Sequence, residues 1–197
     1  MNKREKCLEP VFDKNTKVII MGTFPSVKSR GECYYNNLQN KFWPIIAEIC
    51  KDKRVIEGDY KVRYDCLRKC GIGLWDVISD CEFRKKSSKD DKIIKESIKY
   101  NDFSVLKEKC PKLECIVFSS KNAAKLYKRY LKQPLDKYPL LAEESYKIWL
   151  NKMTNDGENI LPSTSPANVH RTPEQKSRGK EWRTPEWQTF LCRYIGK

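Results

Sequence analysis

The chain has 197 residues, 34% of them charged and 39% hydrophobic, and a formal net charge of +14. It is long enough to bury one core, so a single domain spanning residues 1–197 is expected, and no apolar run approaches the length of a membrane span. The segment "MNKREKCLEP" lacks the apolar stretch of a signal peptide, which predicts an intracellular protein, in the cytoplasm (nucleoid) of a prokaryote or the nucleus of a eukaryote.

In chain order, Lys17 to Met21 is an apolar run ending at Gly22, the pattern of a buried parallel strand. Phe42, Ile45, Ile46 and Ile49 then recur at helical spacing and predict an amphipathic helix over about 42–51. Pro44 is compatible only with its first turn, so Asn40 falls at or just before the helix N-terminus. "YKVRYDCLRKC", 60–70, predicts a helix stopped by Gly71, and the short apolar segment "GIGLWDVI" follows. "EFRKKSSKDDK" predicts a surface loop, and Asn101 or Asp102 the cap of a short helix through Lys109. "LECIVFSS", 113–120, is a second buried strand and "KNAAKLYKRYLK" the helix after it, capped by Ser119 or Ser120. A further strand is expected to end at "NILPSTS", 159–165, and the last helix is "PEWQTFLCRYI", led by Pro185. Strands alternating with helices predict an α/β fold, a largely parallel sheet with ligands gathered at the carboxyl ends of its strands. Those ends read "GTFPS", "FSSKN" and "LPSTSPAN", all rich in small polar residues.

The excess of Lys and Arg favours a polyanionic partner, nucleic acid before an acidic membrane surface. Several other chemistries lack their residues. There is no GxxxxGK[ST] loop, no GxGxxG and no GxSxG elbow, and the single His170 lies beside Arg171. Nine cysteines, an odd number, show no paired CxxC; the tightest spacings are Cys66-x3-Cys70 and Cys110-x4-Cys115. Neither a disulfide framework nor a zinc site is expected, and no metal or other cofactor.

"GTFPSVKS", "YYNNLQNKFW", "GIGLWDVI" and "LPSTSPAN", in this order between about residues 17 and 168, resemble the motifs of the uracil-DNA glycosylase superfamily. The nearest pattern is that of its hypoxanthine-DNA (deoxyinosine) glycosylases, family 6. The resemblance implies a three-layer α/β/α sandwich around a short, mostly parallel sheet. It also implies a monofunctional enzyme that flips a deaminated base, hypoxanthine first and uracil second, out of DNA and releases it with water. It assigns catalysis to Asn40, base stacking to Tyr35, and the floor of the base pocket to Gly22, Thr23 and Phe24. Ser163, Thr164, Ser165 and Asn168 would lie against the DNA backbone, with His170 and Arg171 beside the gap left by the flipped nucleotide. About six phosphate contacts would give a log–log salt slope of roughly −5. No cofactor and no membrane are implied, and a monomer is the default for the class.

Two departures from the family pattern stand out. Asn37-Leu38 replaces His-Pro ahead of Asn40, and the strand end reads Phe118-Ser119-Ser120 where the family has Phe-Asn-Gly. Ser119, the base-reading position, therefore carries one hydroxyl in place of an amide's donor and acceptor pair. The alternative reading is a non-catalytic DNA- or damage-binding module on the same fold.

Overall fold

In the computed structural model the described residues are 4–30, 32–84, 93–166 and 182–196. Three parallel strands form the central sheet: β2 (Val18–Gly22) in the middle, flanked by β3 (Ile72–Asp76) and β6 (Cys115–Phe118). Every residue of the three is buried, which suits the near-continuous apolar runs VIIMG, IGLWD and CIVF. Val18 pairs with Ile72 and Cys115, Met21 with Trp75 and Phe118, and Gly22 with Asp76.

Strand alternation sorts these side chains into two cores. Val18, Ile20, Ile72, Leu74, Cys115 and Val117 face one side, where they meet α1 (Phe42–Cys50), α3 (Tyr60–Lys69) and α7 (Arg183–Ile195). Ile19, Met21, Trp75, Ile116 and Phe118 face the other, under α5 (Lys121–Tyr130) and α6 (Glu144–Thr154). The expected three-layer α/β/α sandwich is thus present. Phe42, Ile45, Ile46 and Ile49 of α1 are all buried, each contributing roughly 1.5–3 kcal/mol through area removed from water. Between α1 and α3 lies the single turn α2 (Arg54–Glu57).

A second, antiparallel sheet lies outside the sequence expectation. It joins β1 (Arg4–Lys6) to β4 (Ile78–Glu82) and β4 to β5 (Lys99–Tyr100). The loop expected over 82–92 accordingly begins later: Glu82 ends β4, and Phe83 is buried and bridged to Ile93. Residues 85–92 lie outside the described set.

The strand expected to end at 159–165 reduces to one parallel bridge, Ile160 to Phe118, with Leu161 N–H still donating to the Phe118 carbonyl. Pro162, which has no N–H to give, stops the ladder there. Asp102 rather than Asn101 braces the entry to α4 (Val105–Lys109), accepting from Ser104 N–H. Asn101 is buried and donates its amide to the Asp76 carbonyl at 2.8 Å. α7 starts at Arg183, two residues earlier than expected. No helix among the described residues is long and apolar enough to cross a membrane.

Candidate active site

The pairing register brings one row of residues to the carboxyl end of the sheet. Gly22 sits opposite Asp76, and on its other side Ser119 N–H donates to the Met21 carbonyl, one step past the Phe118–Met21 pair. By strand alternation the row faces the same way as Ile20, Leu74 and Val117, toward α1. Asp76 is 3% exposed and Ser119 8%. Gly22 is required here by close approach, because a Cβ built on it would fall 2.3 Å from Asp76 Oδ1. The acid therefore leans over the glycine into the notch that the missing side chain leaves.

Tyr35 covers this row. Its backbone is left-handed, φ 56°, and its ring stacks on Phe42 with centroids 3.8 Å apart and an interplanar angle of 13°. Phe42 in turn meets Trp43 and Trp187 edge-on, so the Tyr35 ring rests on a packed aromatic base. The phenol is hydrogen-bonded to the Ser119 side chain. Burial pushes its pKa up, the Ser119 bond offsets part of this, and the nearby Asp76 charge adds to it. The phenol therefore stays neutral and able to donate. Its neighbour Tyr34 is a core residue that donates to the Leu8 carbonyl, while Trp43 Nε1 donates to the Tyr34 carbonyl.

Asn40 closes a tight turn. Its N–H donates to the Asn37 carbonyl at 2.7 Å, and Gln39 N–H donates to Asn37 Oδ1 at 3.1 Å. Leu38 stands exposed at the tip. Asn40 Oδ1 accepts from Phe42 N–H at 2.9 Å, an Asx turn that satisfies one of the orphan donors at the start of α1. That bond also fixes the amide's orientation, since a backbone N–H must meet oxygen rather than NH2. The next residue ties this wall to the last strand-end loop, Lys41 N–H donating to the Thr164 carbonyl at 3.1 Å.

The remaining sequence candidates divide by burial. Thr23 and Phe24 lie below the row, Phe24 against Phe83 with the Arg30 guanidinium 5.4 Å from its centroid. Thr164 is 2% exposed and holds its place through its backbone, whereas Ser163 and Ser165 are half-buried. Ser165 N–H donates to Ser163 Oγ at 3.3 Å. Asn168, His170 and Arg171 lie outside the described residues.

Three participants escaped the sequence reading. Asp76 was inside a quoted segment, "GIGLWDVI", but only the register reveals that its side chain shares a row with Gly22 and Ser119. Arg183 and Trp187 of α7 brace the 161–165 loop, Arg183 Nε donating to the Ser163 carbonyl and Trp187 Nε1 to the Pro162 carbonyl. Two surface hollows open elsewhere, one lined by Cys33, Asp59, Tyr60 and Arg63, the other by Pro162, Pro185, Thr189 and Phe190; neither includes the Asp76–Gly22–Ser119 row.

Fold and site together define a layered α/β protein with polar residues gathered at the carboxyl ends of its parallel strands, where ligands bind in such folds, beneath an aromatic ring and beside a helix-start amide. The profile of the uracil DNA glycosylase superfamily matches residues 9–190, and the chain belongs to that superfamily. It is 34% identical over 173 residues to a hypoxanthine DNA glycosylase of Methanosarcina acetivorans, covering 87% of this chain and 91% of that one. It is 35% identical over 116 residues to a hypoxanthine DNA glycosylase of Methanosarcina barkeri, covering 58% and 70%. The solution NMR structure of a protein proposed to be a uracil DNA glycosylase, also from Methanosarcina acetivorans, superposes with a TM-score of 0.67 at 28% identity over 99% of this chain and all of that one.

Proposed function

We propose that the protein is a DNA glycosylase that hydrolytically removes a deaminated base, hypoxanthine before uracil, as the first step of base-excision repair. The observation that carries this reading is the strand-end row under Tyr35, walled by the Asn40 turn, in a chain of this superfamily. A flipped base would enter above Gly22 and stack on the Tyr35 face opposite Phe42.

Cleavage of the N-glycosidic bond develops positive charge on the sugar and negative charge on the departing base. Asn40 would orient the attacking water through its amide, already held by the Phe42 N–H. An amide is a poor general base, so its contribution is position and dipole rather than proton abstraction. Ser163 and Ser165, with the backbone N–H groups of their loop, would hold the flanking phosphates. The test is base release from labelled duplexes carrying hypoxanthine, uracil, xanthine or no lesion, with alkali added to reveal abasic sites. Release at hypoxanthine is expected, reduced by about a hundredfold or more in Asn40→Ala. Wild-type rates in that variant would remove Asn40 from the reaction.

Ser119, in place of the family's amide, favours a second reading, a damage-binding module without turnover. Tight binding of the hypoxanthine duplex with every base left in place would select it.

A further inference from the structure

The geometry points to Asp76 as the residue that tells a deaminated base from its parent, by accepting the ring N–H that deamination creates, while Ser119 donates to the adjacent carbonyl. This rests on the glycosylase reading and names what its pocket recognises.

Deamination exchanges the hydrogen-bonding pattern of one base edge. Adenine offers an acceptor at N1 and a donor amino group at C6. Hypoxanthine offers a donor N1–H and an acceptor O6. Cytosine and uracil differ in the same sense at N3 and C4. A pocket that removes only the deaminated form needs an acceptor facing the ring nitrogen and a donor facing the carbonyl. An amide can supply both from one side chain, but position 119 is serine.

The row supplies the two functions from separate strands. An ionised carboxylate accepts and cannot donate. Asp76 sets its carboxyl group beside the open Cα of Gly22, with Oδ1 in the space a larger residue at 22 would fill. Its four or so acceptor sites let it serve a base as well as its protein neighbours. Ser119 is hydrogen-bonded to the Tyr35 phenol, and a serine hydroxyl has one O–H to give and two lone pairs to accept with, so with the phenol as donor its own hydrogen serves the carbonyl. Asp76 and Ser119 stand two strands apart, so their backbones are about 10 Å from each other. That span brackets the N–H and C=O of a base edge with one hydrogen bond on each side. Adenine in the same place would set its N1 lone pair against the carboxylate and its amino group against a donor. A buried acceptor set against another lone pair is a strong ground for rejection.

The experiment compares the full-length protein with Asp76→Asn and Asp76→Ala on duplexes carrying hypoxanthine, 1-methylhypoxanthine or adenine at one site. Base release and duplex affinity by fluorescence anisotropy are both read, with the melting temperature recorded for each protein. The wild type is expected to prefer hypoxanthine over both comparison bases. Each variant is expected to lose about 10- to 100-fold in hypoxanthine release, and its preference over 1-methylhypoxanthine and adenine is expected to collapse by a similar factor. Asparagine, which can turn its NH2 toward N1, is expected to improve most on adenine. A purely structural role for Asp76 would lower all three duplexes together and leave the preference intact, and that outcome overturns the proposal. If the variants do not fold, the wild type decides alone: equal handling of hypoxanthine and 1-methylhypoxanthine overturns it. If no base is released at all, the glycosylase reading fails. The binding preference and its dependence on Asp76 still decide the recognition proposal.

Discussion

Gly22 and Asp76 form a lock at the floor of the site, and the lock makes a sharp prediction. Gly22→Ala sets a methyl group 2.3 Å from the Asp76 carboxylate, and the overpacking should cost about 1–3 kcal/mol in urea unfolding. Asp76→Ala in the same chain removes the obstacle, so stability is expected to recover while base release is not. Strictly additive single and double variants would contradict the contact. Tyr35→Phe keeps the stack on Phe42 and loses the bond to Ser119. It should lower stability by about 0.5–1.5 kcal/mol and weaken base release through Ser119. These residues were unequally legible in the sequence. Gly22, Tyr35 and Asn40 fall within one segment whose turn, ring and helix-start signals are local. Asp76 owes its place to strand register, a long-range pairing that its own neighbours do not encode. The resemblance lays Thr164 against the DNA backbone, yet its side chain is buried, and its carbonyl accepts from Lys41 N–H.

The helices around the site are held by single, testable bonds. Ser120, not Ser119, caps α5 by accepting from Ala123 N–H at 3.1 Å. Ser120→Ala is expected to cost about 1 kcal/mol in chemical denaturation while leaving base preference unchanged. Ser119 is thereby left for the site. Trp187→Phe keeps an aromatic against Phe42 but removes the donor to the Pro162 carbonyl. It should lower duplex affinity more than it changes the discrimination between bases, because the loop it braces is the one proposed to hold the phosphates. The central strands β2 and β6 were readable because burial on both faces demands continuous apolar runs. β1 and β5, three and two residues long with sequences REK and KY, carry no alternation to read and exist by pairing with β4. The buried Tyr146, Leu150 and Met153 of α6 recur at i, i+4 and i+7 within "ESYKIWLNKMT", a helical spacing that was there to read although no helix was expected over these residues.

The net charge of +14 predicts steep salt dependence of duplex binding, with a log–log slope of roughly −5. A flat response between low and physiological salt would argue against a phosphate-tracking surface. Alkaline stability follows from buried thiols. Burial pushes both Cys110 and Cys115 up to about 11 from an ordinary value of 9.0. Their folded values lie above their unfolded ones, so this contribution is complete below pH 9 and drains away as pH rises toward 11. Melting temperature should therefore fall across that window, and replacing both cysteines with alanine should flatten the decline. The Lys41 N–H bond to the Thr164 carbonyl has a consequence in time rather than space. It joins stretches from opposite ends of the chain, and loops that long close late. In refolding, tryptophan burial should return before base release does. An inhibitor of the late step would leave a compact molecule that cannot yet hold a nucleotide.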